Sequence, residues 1–297
     1  METSRFVAGV PVDVTTGRVP VQRLLCPNAG LMTGPGTNSY LIGNNELALV
    51  DPGPEMPVHT HAIMRALAGR PLKWIFVTHT HGDHSPGTPA LQALTGAQLI
   101  GLAPHADAQY QDRSFLPDRL YVHGEQIHCS EFTISLLHTP GHVSNHLCFL
   151  LDEDGMLFTG DHILQGTTPV ILPPDGNMSD YMASLEYLRT LPLRSLAPGH
   201  GEVMTEPEQM ISTLIRHRQR RELKIAAALA TLKSGILDEL VLLAYDDVPS
   251  HLLPWAKKTL LAHLYKLKDE GRARMTLPDP ASLIQGPDVD AVIWEAM

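Results

Sequence analysis

The sequence predicts an α+β fold in two units: a mixed strand-and-helix domain over residues 1–205 and a small helical, winged-helix-like domain over 206–297 with a short tail. Three observations carry this. Short apolar β-type runs alternate with helical segments up to about residue 200. Beyond that point the periodicity turns helical. The charge balance changes at the same place: ten Lys/Arg stand against nineteen Asp/Glu in 1–205, but twelve against nine in 206–275, with four acids after that.

In chain order, Asn38–Gly43 (NSYLIG) and Glu46–Asp51 (ELALVD) are expected strands joined by the turn Gly43-Asn44-Asn45. Lys73–Thr78 (KWIFVT) is a short apolar run suited to a strand buried on both faces. Further strands are expected at Phe132–Leu137, Leu147–Leu151 and Met156–Thr159, with Asp152–Gly155 as a hairpin turn. Helices are expected at Pro57–Leu67, Pro89–Leu94 and Asp180–Leu191, the last with Tyr181, Leu185 and Leu188 on one face. Thr205-Glu206-Pro207-Glu208 combines a capping-box pattern with proline in the first turn, starting a helix to about Leu232. Helices at Ile236–Tyr245 and Leu253–Glu270 follow, then Gly271 as a stop and Arg272–Leu277 as a strand of the wing.

Composition excludes several classes. With 297 residues, 43% hydrophobic and 18% charged, the chain can bury a large core and is not disordered. No window approaches eighteen apolar residues and Met1–Val10 lacks a signal peptide's apolar run, so neither a membrane span nor secretion is expected. Three cysteines without a CxxC pair fit a reducing, cytoplasmic setting. The formal charge of −10 argues against a protein that wraps nucleic acid over its whole surface. Sixteen histidines is a high count, and it raises the question of metal.

The histidines answer it locally. His79-Thr80-His81-Gly82-Asp83-His84 packs four ligand-type side chains into six residues directly after the 73–78 strand. Imidazole suits zinc and related ions, a carboxylate adds charge neutralisation, and Gly82 gives the backbone room to turn. Four ligands cannot complete two metal spheres, so others are expected at strand-end loops. Pro140-Gly141-His142, Thr159-Gly160-Asp161 and Pro198-Gly199-His200 each place a ligand-type residue after a glycine.

These motifs, in this order, resemble the metallo-β-lactamase superfamily of dinuclear metal hydrolases over about residues 20–205. The resemblance implies an αββα sandwich with the metals at one edge between the sheets. It implies that His79, His81 and His142 bind one metal, that Asp83, His84 and His200 bind the other, and that Asp161 bridges them. Two zinc ions per chain are expected, with manganese or iron as alternatives. Zinc β-lactamases commonly use cysteine for the second metal; here the motif carries Asp161, which places the chain nearer the branch of thioesterases and nucleases. Asp51, in a Leu-Val-Asp-Pro-Gly run, matches another family motif and is expected to hold a ligand imidazole by hydrogen bond or to cap the turn. His146 and His162 are candidates for supporting a ligand or facing substrate, against simple packing. His59, His61, His105, His123, His128 and His138 carry no spacing signal.

The implied chemistry is hydrolysis by a metal-bound hydroxide that Asp83 orients. Residues Thr33–Tyr40 and Gly166-Thr167-Thr168 resemble the lactamase-β-like endoribonuclease branch, as do His217–Ile225, Tyr245 and Ala262–Gly271 in the tail. That resemblance favours a phosphodiester substrate, single-stranded RNA. Arg216, Arg218, Arg220, Arg221 and Lys224 form a basic run that would contact phosphates, although a solvated helix face with ion pairs accounts for it equally well. With only 5% aromatics the chain is poor in stacking platforms. The alternatives are an acyl hydrolase acting on a small thioester, ester, lactone or lactam, and an iron-dependent non-hydrolytic enzyme.

Overall fold

A computed structural model describes residues 6–105, 108, 110–277 and 290–297. Strands β1 (Val12–Asp13), β2 (Val21–Leu25), β3 (Asn38–Ile42), β4 (Leu47–Val50), β5 (Leu72–Phe76) and β6 (Gln98–Ile100) form one sheet in that order. Pairing is antiparallel through β4 and parallel from β4 to β6. The parallel connections need crossovers, supplied by helices α1 (Pro57–Leu67) and α2 (Thr88–Thr95). A second sheet holds β7 (Gln126–His128), β8 (Thr133–His138), β9 (Leu147–Leu151), β10 (Met156–Gly160) and β11 (Ser195–Pro198), ordered β11-β10-β9-β8-β7. Helix α3 (Met178–Arg189) carries the chain from β10 to the parallel strand β11.

The strands read as continuous apolar runs because both of their faces are covered. In β3 and β4, Tyr40, Ile42, Ala48 and Val50 point between the sheets and meet Leu136, Phe149 and Phe158. Their neighbours Leu41, Leu47 and Leu49 point outward under Ile63, Leu67 and Leu91 of α1 and α2. This is the period-two alternation of a pleated strand with apolar residues in both phases. On the other side, Leu137, Cys148 and Leu157 pack under Tyr181, Leu185 and Leu188 of α3. The layers are therefore helix, sheet, sheet, helix. Helix α3 begins at Met178, before the expected Asp180, because the Asn177 side chain caps it by accepting from the N–H groups of Ser179 and Asp180.

The C-terminal part comprises α4 (Pro207–Leu232), β12 (Ser234–Gly235), α5 (Leu237–Ala244), α6 (Leu253–Asp269), β13 (Ala273–Thr276) and β14 (Ile293–Ala296), with strand order β12-β14-β13. It is the small helical unit with a β-wing. Helix α4 belongs to both units: Ile211, Leu214 and Ile215 pack with α3, whereas Ile225, Ala228 and Leu229 join the C-terminal core around Trp294. Its first residue is Pro207, and Glu206 at the cap position makes no side-chain capping bond. The expected capping box is thus not formed, because the cap position falls on Glu206 and Thr205 lies one residue outside the helix. Among the described residues no helix is long and apolar enough to cross a membrane.

One ion-pair cluster ties α4 to α6 and the wing. Glu222 accepts from Lys266 Nζ and Arg272 Nη1, each at 2.8 Å, with His263 Nδ1 3.7 Å away. Burial raises the Glu222 carboxyl, but His263, Lys266 and Arg272 outweigh it and hold it at about 2. A depressed carboxyl contributes stability above its unfolded value, about 4.3, and loses that contribution as pH falls toward 2. Glu222→Gln is therefore expected to lower Tm at neutral pH. The gap to wild type should narrow below about pH 4.3 and close near pH 2 when followed by circular dichroism.

Candidate metal centre

The candidate residues come from the ends of strands in both sheets. β5 releases the chain at Phe76, and the 77–87 loop carries His79, His81, Asp83 and His84 before α2. From the second sheet, the loop after β8 brings His142, the end of β10 brings Asp161 and the end of β11 brings His200. His79, His81, His142 and Asp161 form one cluster and Asp83, His84 and His200 another, each with its ligand atoms within 4.8 Å of one another and able to hold a metal ion. Asp161 spans the two: Oδ1 lies 3.4 Å from His84 Nε2 and 3.3 Å from His200 Nε2, and Oδ2 lies 3.8 Å from His142 Nε2.

The glycines before the last three are required by space. A Cβ on Gly141 would sit 2.4 Å from the Tyr181 backbone, and one on Gly160 would sit 2.6 Å from Thr78 Oγ1. On Gly199 it would lie 2.7 Å from both Asp161 Oδ1 and the His84 ring, inside the cluster.

Hydrogen bonds behind the rings fix which nitrogen is bare. His142 Nδ1 donates to Val170 O at 2.6 Å and His200 Nδ1 to Gly36 O at 3.1 Å. His84 Nδ1 donates to Asp51 Oδ2 at 2.8 Å. Thr78 Oγ1 donates to Asp51 Oδ2, so its oxygen is left to accept from His79 Nδ1. All four rings therefore turn an unprotonated Nε2 inward when neutral. His81 Nδ1 lies 3.0 Å from His79 Nε2 and 3.1 Å from His142 Nε2, so three ring nitrogens converge with at most one hydrogen among them. His84 Nε2 and Asp161 Oδ1 are buried with no hydrogen-bond partner.

Electrostatics divides the clusters. Burial, reinforced by His84 and His81, lowers His79 well below its usual pKa; burial and His142 take His81 down to about 4. Burial also lowers His142, so this trio is neutral. In the other cluster burial opposes charge on His84 and His200. Asp83, Asp161 and Asp51 outweigh it at His84, raising it well above its usual value, and Asp161 and Asp83 push His200 up to about 10. Burial also opposes ionisation of Asp83 and Asp161, yet the neighbouring His84 and His200 hold both below the carboxylate range. The carboxylates thus demand positive charge at this spot.

The Asp51 carboxylate faces the His84 ring from behind. Beyond His84, it accepts from Thr78 N and Thr78 Oγ1, both at 2.8 Å, and it adopts φ of 50° at the end of β4. His146 and His162 are both buried and neither lines the cleft described below. His146 stacks behind His79 with centroids 5.2 Å apart and shares a hydrogen bond with Thr139 Oγ1, and His162 lies against the Tyr181 ring.

The basic run does not form a phosphate-facing surface. Arg218 is buried, 3% exposed, and donates to Pro169 O; Arg221, 8% exposed, donates to Ala244 O and Asp247 and lies over the Tyr245 ring. Lys224 pairs with Asp246 and Asp247, which leaves Arg216 and Arg220 on the outer face. The expectation of nucleic-acid contact through Arg218 and Arg221 is therefore corrected: they lie on the helix face of Ile211, Leu214 and Ile225, and that face is buried. Arg218 instead anchors the backbone beside Val170, whose carbonyl holds His142.

Groups that the sequence did not single out as site residues complete the site. Thr37 Oγ1 donates to Asp83 Oδ2 at 3.0 Å. A cleft of about 220 Å³ opens beside His81 and His142, with Gln111, Leu172 and Asp175 on one side and Lys258 and Leu261 of α6 on another. Gln111 is fixed by Thr80, Asn145 and Asp175.

Residues 32–200 match the Metallo-beta-lactamase superfamily. The chain belongs to that superfamily. Residues 237–277 match the Beta-lactamase associated winged helix domain. Within the superfamily the chain is 33% identical over 218 residues to an atrochrysone carboxyl ACP thioesterase of Aspergillus terreus, covering 72% of this chain and 64% of that protein. It is 30% identical over 256 residues to the lactamase-like protein aptB of Emericella nidulans, covering 81% and 79%. A solved beta-lactamase domain protein from Burkholderia ambifaria shares the fold, with TM-score 0.78 at 20% identity, over 98% of this chain and 94% of that one.

Proposed function

We propose that this superfamily hydrolase holds two divalent metal ions and cleaves acyl thioesters. The observation that carries the metal reading is the convergence of His79 Nε2, His81 Nδ1 and His142 Nε2 around at most one hydrogen. Lone pairs that face one another repel unless a cation lies between them. His79, His81 and His142 would hold one ion, Asp83, His84 and His200 the other, and Asp161 both. Such a pair supplies a Lewis acid for the carbonyl oxygen and lowers the pKa of water.

The chain's own groups do the rest. Asp51 and the Val170 and Gly36 carbonyls hold the imidazoles in one tautomer. Asp83, kept ionised and steadied by Thr37, orients the attacking water and accepts its hydrogen bond. The thiol leaves as thiolate, whose low basicity relieves the site of the need for a strong acid.

Thioester is preferred to RNA on two grounds. The relative in Aspergillus terreus is named a thioesterase. The cleft, about 220 Å³, is largely apolar, as an acyl chain requires, whereas Arg218 and Arg221 are turned inward. The test is a panel with purified, metal-loaded protein: an acyl N-acetylcysteamine thioester, the matching oxygen ester, single-stranded RNA and nitrocefin. The thioester is expected to turn over fastest by at least ~10-fold in kcat/KM. RNA cleavage abolished by Asp83→Ala, with no thioester turnover, would overturn the assignment.

A further inference from the structure

Helix α6 of the C-terminal unit reaches the cleft with two side chains, Leu261 and Lys258. The cleft wall is largely apolar, including Val143 and Leu172, and among the described residues its charged side chains apart from the imidazoles are Asp175 and Lys258. These two are in opposite situations. The Asp175 carboxylate is already committed, accepting from Gln111 Nε2 at 2.7 Å, Ser144 N at 3.1 Å and Ser144 Oγ at 2.5 Å. Lys258 is exposed and has no carboxylate within 4 Å among the described residues; its ammonium lies 4.8 Å over the Trp255 ring.

That isolation is unusual for α4 and α6. Lys224 and Lys266 each lie 2.5 Å from a carboxylate oxygen, Lys257 lies 2.6 Å from one and Lys268 lies 3.5 Å from one. A lysine supported only by an indole face keeps its charge available, because a cation–π contact neutralises nothing. The His81 and His142 rings, an uncommitted ammonium and apolar surface therefore line one cleft.

We propose that Lys258 is a specificity residue that receives an anionic group of the substrate while the thioester carbonyl lies at the His81 and His142 end. The C-terminal unit would thus select substrate. Two parts of a thioester could supply the anion: a carboxylate on the acyl chain, or a phosphate on the thiol arm. This inference rests on the acyl-thioester reading above, and its test separates the two.

The experiment uses the full chain, as wild type, Lys258→Gln and Lys258→Arg. Kinetics are recorded for butyryl and glutaryl thioesters of N-acetylcysteamine and of coenzyme A. Tryptophan emission is titrated with butyramide against glutaramate, the monoamide of glutarate, and with pantetheine against pantetheine 4′-phosphate. If the acyl chain carries the anion, the glutaryl-to-butyryl ratio of kcat/KM falls about tenfold in Lys258→Gln, recovers in Lys258→Arg and weakens with salt. If the thiol arm carries it, the coenzyme A-to-N-acetylcysteamine ratio falls by about that factor instead. Ratios unchanged in Lys258→Gln overturn the proposal. Should wild type hydrolyse no thioester, that earlier reading fails and emission decides this one. Tighter binding of glutaramate or pantetheine 4′-phosphate than of its uncharged counterpart, lost in Lys258→Gln, upholds the anion site; equal binding in both proteins rejects it.

Discussion

Asp161→Asn is expected to leave the chain with no more than one tightly held metal ion and to cut thioester turnover by about 10²–10³-fold, the scale for losing one preorganised electrostatic group. The carboxylate is the element common to both clusters, with Oδ1 3.3–3.4 Å from His200 and His84 and Oδ2 3.8 Å from His142. Asparagine has the same shape but one acceptor oxygen and no charge, so one side of the bridge becomes an amide N–H₂ facing a would-be metal. Loss of the charge also removes a large part of the pull that raises His84 and His200. Bound metal by elemental analysis and kcat by thiol release should fall together. A variant with two ions and wild-type kcat would remove Asp161 from the centre.

Asp51→Asn is expected to weaken metal affinity about 10–100-fold without touching any metal, the usual effect of removing a group that orients a ligand. Three hydrogen bonds converge on the Asp51 carboxylate, from Thr78 N, Thr78 Oγ1 and His84 Nδ1. An amide cannot accept all three, so at least one buried donor loses its partner at a cost of about 1–3 kcal/mol. Asparagine tolerates the left-handed backbone at this position (φ 50°), which separates the electrostatic effect from backbone strain. A lowering of Tm by about 2–6 °C should accompany the loss of affinity. Competition with a chromogenic chelator measures the affinity, and unchanged values would show that His84 orients itself.

The most legible parts of the chain were those where local sequence and chemistry coincide. His79 to His84 lie within one loop, and the three glycine-led residues sit at strand ends where no Cβ fits, so pattern and geometry agree. Of the groups behind the imidazoles, the Asp51 side chain had a motif, whereas Val170 and Gly36 contribute carbonyls, which every residue has. The run from Arg216 to Lys224 misleads through residue type. Ile211, Leu214, Arg218, Arg221 and Ile225 recur at helical spacing and share one buried face, yet their charge reads as solvent-facing. Arg218 can be buried because the Pro169 carbonyl takes its guanidinium N–H, a partner 49 residues away. Strand β14 was hidden because its partners β12 and β13 lie earlier in the chain, and Trp294 is buried among helix residues such as Ile225 and Leu229 that are remote in sequence.

Metal-dependent turnover tests the account at its centre. The protein is stripped with chelator, reloaded stepwise with zinc or manganese, and assayed on an acyl thioester while bound metal is measured in the same samples. Activity should be absent from the stripped protein and rise to a plateau at about two ions per chain. Full thioester turnover with less than about a tenth of an ion per chain would contradict it.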